Sequence, residues 1–120
     1  MTPANSASIS GPVVIDEAGL RAMAAVICGE IPGAEVRLFG SRARGDARPD
    51  SDVDLLITAP DAWMAQQDRW TVLDHLRWQL SGPDLPVDLL LVSQSQAWQR
   101  RDFRSDVVHS AYTQGVRLDG

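Results

Sequence analysis

From Phe39 to Ile57 the chain leaves one apolar run, crosses a loop rich in glycine and arginine, and enters a second apolar run that carries two carboxylates. The first run is Val36-Arg37-Leu38-Phe39, and the loop opens Gly40-Ser41-Arg42-Ala43-Arg44-Gly45. The second run is Asp52-Val53-Asp54-Leu55-Leu56-Ile57. Residues two apart on a strand share a face, so a strand from Asp52 to Thr58 projects Asp52 and Asp54 together. Two neighbouring carboxylates repel, and keeping both ionised is costly unless a cation lies between them. Hard oxygen ligands on one face suit Mg²⁺, which takes one or two carboxylates and completes its shell with phosphates and water. Turn chemistry accounts for Asp50 and Ser51. It does not account for Asp54, because Asp is depleted inside strands and Val53, Leu55, Leu56 and Ile57 surround it.

A third carboxylate has a similar setting: Asp88, in Pro86-Val87-Asp88-Leu89-Leu90-Leu91-Val92. Gly40-Ser41, then ten residues, then Asp52-x-Asp54 resembles the signature of the polymerase-beta-type nucleotidyltransferases. The wording of Gly40 to Gly45, with Ser51-Asp52-Val53-Asp54-Leu55, is similar to the minimal nucleotidyltransferase (MNT) branch. The resemblance covers about residues 20 to 118. It implies an α/β (α+β) fold, with a small mixed sheet flanked by helices on one side and the acids on neighbouring strands. It also implies transfer of a nucleoside monophosphate from a triphosphate to a hydroxyl, with ATP as substrate and two Mg²⁺ ions about 3.5–4 Å apart. Asp52 and Asp54 would bind both ions. Asp88 would complete the site on the attacking side and assist proton removal. Gly40 and Ser41 would hold the β- and γ-phosphates, the glycine by permitting close backbone approach and the serine through its hydroxyl. Arg42, adjoining Ser41, is the favoured further phosphate contact. Arg44 is expected to pair with Asp46 or Asp50, and a solvated loop is the plain alternative for Arg42, Arg44 and Arg48.

Composition narrows the classes. The length of 120 residues and 44% hydrophobic content fit one globular domain, read as a flexible tail over 1–12 and a nucleotidyltransferase domain over 13–120. The formal net charge is −5 and every one of the 11 cationic side chains is Arg. An acidic chain is a poor general nucleic-acid binder, so the local arginines fit a small anionic ligand such as a nucleoside triphosphate. No apolar run approaches the roughly 18–20 residues that span a bilayer, and no secretion signal opens the chain. With a single cysteine, Cys28, expected to be a small buried helix residue, the cytoplasm is the expected compartment. No Walker loop or Cys/His zinc cluster occurs. His75 and His109 lie in helical patterns without a neighbouring nucleophile and are expected to pack or face solvent.

Helices are expected from an Asp16 cap to Glu30, from Pro60 to Leu80, from a Ser93 cap to Arg101, and over Asp106–Thr113 with Gly115 as stop. Strands are expected at Glu35–Phe39, Asp52–Thr58 and Leu85–Val92, with 116–118 read as a short terminal strand or a tail. The continuous apolar character of the third strand calls for cover on both faces. In the 60–80 helix, Trp63 and Trp70 flank the aliphatic stripe at the core's edge, whereas Trp78 falls opposite it and is expected to meet a partner.

In the MNT branch, small stand-alone members are paired with a HEPN-domain ribonuclease toxin. The resemblance implies that this chain is the antitoxin, transferring AMP from ATP onto a tyrosine hydroxyl of that toxin. The chain is too short for the extra helical domain of antibiotic-modifying relatives, so a partner would supply the acceptor. Two alternatives remain open. One is adenylylation of a small hydroxylated molecule such as an aminoglycoside, with a homo-oligomer building its pocket. The other is a non-catalytic antitoxin that acts by contact, a reading that does not require an intact Asp52, Asp54 and Asp88 set.

Overall fold

The computed structural model describes residues 16–48, 51–81 and 85–119. The expected tail over 1–12 lies outside these, as do Asp50 and the Gly82-Pro83 stop. Helix α1 (Glu17–Glu30) starts where Asp16 accepts the Gly19 N–H. It buries Met23, Ala24 and Ile27, which fall on one face of a 3.6-residue repeat. Strand β1 (Glu35–Phe39) follows, then the one-turn helix α2 (Ser41–Arg44) and strand β2 (Val53–Ala59).

The single helix expected over 60–80 is two helices: α3 (Asp61–Met64) and α4 (Arg69–Leu80). The apolar spacing runs through both, but Asp68 accepts from the Trp70 N–H and the Thr71 hydroxyl. It thereby caps a new helix rather than continuing the old one. The break leaves Trp63 half-buried against the core and turns Trp70 outward, 67% exposed.

Strand β3 (Val87–Ser93) begins two residues later than expected, and Ser93 closes it as the cap of α5 (Gln94–Arg100) through a reciprocal box with Gln96. Helix α6 (Val107–Thr113) and strand β4 (Val116–Arg117) complete the chain. His109 Nδ1 lies 2.7 Å from the Arg101 carbonyl, and His75 meets Glu30 at the surface. Cys28 is half-buried rather than buried, with its thiol 3.6 Å from the Ala34 carbonyl.

The sheet order is β3-β2-β1-β4. β1 is antiparallel to β2 and β4, and β2 is parallel to β3, so the sheet is mixed. One face buries Val36, Leu38, Val53, Leu55, Ile57, Leu89 and Leu91 under α1 and α4. The other face is covered as well, which corrects the expectation of helices on one side. Leu56 and Val92 pack there against Ala97 of α5 and Val108 and Ala111 of α6. Periodicity tells which side of a helix is buried, not which sheet face receives it. By the two-residue repeat of a strand, Asp54 shares this second face with Leu56, and Asp88 shares it with Leu90 and Val92. The acids therefore sit at the end of the face that α5 and α6 leave open.

Candidate active site

β1 ends at Phe39, whose register partner on β2 is Asp54. The parallel register then sets Asp54 beside Asp88. Asp52 lies one residue before β2, at the same pleat parity as Asp54. Carboxylate oxygens of Asp52, Asp54 and Asp88 all lie within 4.8 Å of one another, with Asp52 and Asp88 exposed and Asp54 half-buried. Burial raises the Asp54 carboxyl above the ordinary carboxylate range, Asp88 and Asp52 add to the shift, and Arg42 and Arg44 oppose it. Three hard oxygen donors so placed, one of them half-buried, fit a divalent cation. Sequence spacing foresees the Asp52 and Asp54 pairing. The junction with Asp88 comes from strand pairing.

Gly40 adopts φ 76° and ψ −156°, a region essentially confined to glycine. A Cβ at Gly40 would run into Asp54 Oδ2. The glycine thus makes room for a carboxylate of its own chain, beyond any room it gives a ligand. It turns β1 into α2, where the Ala43 and Arg44 N–H groups bond to the Gly40 carbonyl at 3.1 and 3.2 Å. Ser41 opens that turn, and its carbonyl accepts the Gly45 and Asp46 N–H groups.

Arg42, expected at a phosphate, donates from Nη2 and Nε to the Ser51 carbonyl at 2.7 and 3.2 Å. It ties the loop to the residue preceding Asp52. Arg44 faces Asp46 at 3.4 Å on the surface. The Arg48 N–H bonds to Ser51 Oγ, closing the turn into β2.

Beside the acids lies a cavity of about 280 Å³ lined by Phe39, Asp54, Asp88, Leu89, Leu90 and Val107. The sequence reading misses Phe39, Leu90 and Val107 here. Val107 carries no local signal, since α6 reaches the site only through tertiary packing. A larger cleft of about 370 Å³ between α1, α2 and β4 is lined by Leu38 and Arg42. Leu38 belongs to the face opposite Asp54, and none of the three carboxylates lines that cleft, so the acids open onto the smaller one. Trp78 is 85% exposed on α4. Trp98 and Phe103, which the sequence reading passed over, are each 61% exposed. Arg101 stacks on Trp98 at 3.2 Å.

The search of curated proteins gives no match. Among solved structures, a candidate nucleotidyltransferase from Sulfolobus solfataricus superposes with a TM-score of 0.54 at 18% identity, over 84% of this chain and 77% of that one. That likeness is one of fold. A toxin–antitoxin structure with AMP-PNP gives a TM-score of 0.49 at 25% identity, over 87% of this chain and 73% of that one. A mutant of the toxin–antitoxin MntA-HpeT gives 0.48 at 23%, with the same coverage. The sequence profile of the nucleotidyltransferase domain matches residues 20–109, which span the glycine turn, the three acids and the start of α6. The chain therefore belongs to the nucleotidyltransferase domain family.

Proposed function

We propose that this nucleotidyltransferase transfers AMP from ATP to a hydroxyl of a partner protein, a tyrosine of a HEPN ribonuclease toxin, and so acts as its antitoxin in the cytoplasm. The observation that carries the transfer reading is the convergence of Asp52, Asp54 and Asp88 within 4.8 Å on the open end of one sheet face. These residues would hold two Mg²⁺ ions, which supply charge neutralisation at the triphosphate and activation of the attacking hydroxyl. Asp88, exposed at the sheet's edge, takes the proton of that hydroxyl. Gly40 and Ser41 orient the phosphates, with Arg42 holding the loop in register with the acids. The size of the cavity supports a partner as acceptor: at about 280 Å³ it lies at the small end of the roughly 300–1,000 Å³ of sites that enclose their ligands. The acceptor would supply the remaining walls. The Trp78 face adds contact area to that complex. Among the described residues no helix is long and apolar enough to cross a membrane.

The test is incubation with the product of the adjacent reading frame, ATP and Mg²⁺, followed by intact-mass analysis. One AMP is expected on the partner, and none with Asp52→Asn or Asp54→Asn. Asp88→Asn should retain ATP binding while its single-turnover rate collapses. Modification of an aminoglycoside and not of the partner would move the enzyme to small-molecule adenylylation. Toxin neutralisation without any mass gain would make it a contact antitoxin.

A further inference from the structure

Strand β3 is an edge of the sheet. Val53 donates its N–H to the Pro86 carbonyl at 3.0 Å, and Val53 is the register partner of Val87. In a parallel ladder this phase directs the backbone groups of Asp88, Leu90 and Val92 toward β2. Those of Val87 and Leu89 point outward, and among the described residues none offers them a partner. Leu91, the next outward residue, is 1% exposed, against 8% for Val87 and 7% for Leu89. The outward backbone groups of Val87 and Leu89 thus flank Asp88 on this edge.

We propose that the acceptor reaches the site as an extended segment paired antiparallel with this edge, its hydroxyl-bearing residue directly opposite Asp88. The proposal rests on the nucleotidyl-transfer reading above and adds the mode of docking. An antiparallel neighbour would exchange hydrogen bonds with Val87 and Leu89. The residue between them would then be a non-hydrogen-bonded partner of Asp88, the closer of the two pair types, with Cβ atoms about 4.5–5.5 Å apart. Its side chain would rise on the face that carries Asp54 and Asp88. The hydroxyl oxygen forms the new bond to the α-phosphorus of the triphosphate. The bond from that phosphorus to its bridging oxygen breaks, pyrophosphate leaves, and the hydroxyl proton passes to Asp88. A second copy of this chain fits the edge poorly. Two-fold pairing through the Val87 and Leu89 groups sets Asp88 against Asp88, and like charges directly opposite destabilise a pair.

The experiment follows amide hydrogen exchange of the full chain by NMR, with and without the adjacent-frame product, alongside the mass assay. The expected result is AMP on the partner together with new protection at Val87 and Leu89, while Asp88 and Leu90, already bonded to β2, change little. Val87→Pro removes an outward N–H and leaves the β2 ladder whole. It should lower partner modification by about tenfold with ATP affinity unchanged. AMP transfer without protection at Val87 and Leu89, or with protection confined to α4, overturns the docking mode and leaves the transfer reading standing. Protection at both amides without transfer supports docking at the edge and overturns the transfer reading instead. Protection that grows with concentration in the chain alone assigns the edge to a second copy and overturns the proposal.

Discussion

At Asp54, burial first and then the charges of Asp88 and Asp52 raise the carboxyl above its ordinary value. The folded state therefore binds a proton more tightly there than the unfolded chain does. Stability contributed by the protonated form is present below the ordinary carboxylate value and is lost as pH rises through the raised one. Asp54→Asn is expected to raise the melting temperature at neutral pH, with the advantage vanishing in acid. Added Mg²⁺ should stabilise the wild type and not the variant. Scans against pH with and without the metal check both, and an unchanged neutral-pH melting point would remove Asp54 as the strained member. Gly40 faces the same carboxylate. Gly40→Ala is expected to cost about 1–3 kcal/mol from backbone conformation and to weaken Mg²⁺ binding by displacing Asp54 Oδ2. In an Asp54→Ala background the steric share of that loss should disappear and the backbone share persist, which a double-mutant cycle in urea resolves. Thr58 presents a different case: it is 1% exposed, and its hydroxyl has no partner among the described residues. Replacing a buried orphan hydroxyl by a methyl of the same shape relieves a desolvation cost, so Thr58→Val should stabilise by about 1 kcal/mol.

Helix α6 shows how an element tunes the site from outside it. Asp106 caps it, accepting from the Val108 N–H at 2.8 Å and from Arg100 through both carboxylate oxygens. The Arg100 hydrogen bond, and then that from Val108, hold its carboxyl below the ordinary value. This contribution is present above the ordinary value and is lost as pH falls through the lowered one. Asp106→Ala should cost about 1 kcal/mol and loosen Val107 at the cavity wall, whereas Asp106→Asn should keep the cap; urea midpoints of the two variants tell them apart. Such caps are local and legible. Asp16, Ser93 and Asp106 announce α1, α5 and α6, and the Gly40 motif bounds β1 to the residue. The break before α4 was legible too, in Asp68 with Thr71 three residues on, but the continuous apolar spacing outweighed it. Strand order and the face taken by α5 and α6 were not legible. They follow from contacts between distant segments, and so does the arrival of Asp88 beside Asp54.

At the scale of the molecule, a net charge of −5 and exposed aromatics on α4 frame the surface offered to a partner. Trp78→Ala should weaken the complex by about 2 kcal/mol or more and change folding stability by less than about 0.5 kcal/mol. Calorimetric titration beside a melting curve separates these, and unfolding of the variant would place Trp78 in the core. The far edge of the sheet has another consequence. β4 pairs with β1, and Asp119 Oδ1 takes the Val36 N–H across a separation of 83 residues. At a synthesis rate of about 5–20 residues per second, β1 waits roughly 4–17 s on the ribosome with that side unclaimed. During this interval each nascent chain on a polysome holds out the same open strand to its neighbours. How much of the protein escapes aggregation is then partly a matter of translation tempo between β1 and β4, which no property of the finished fold records.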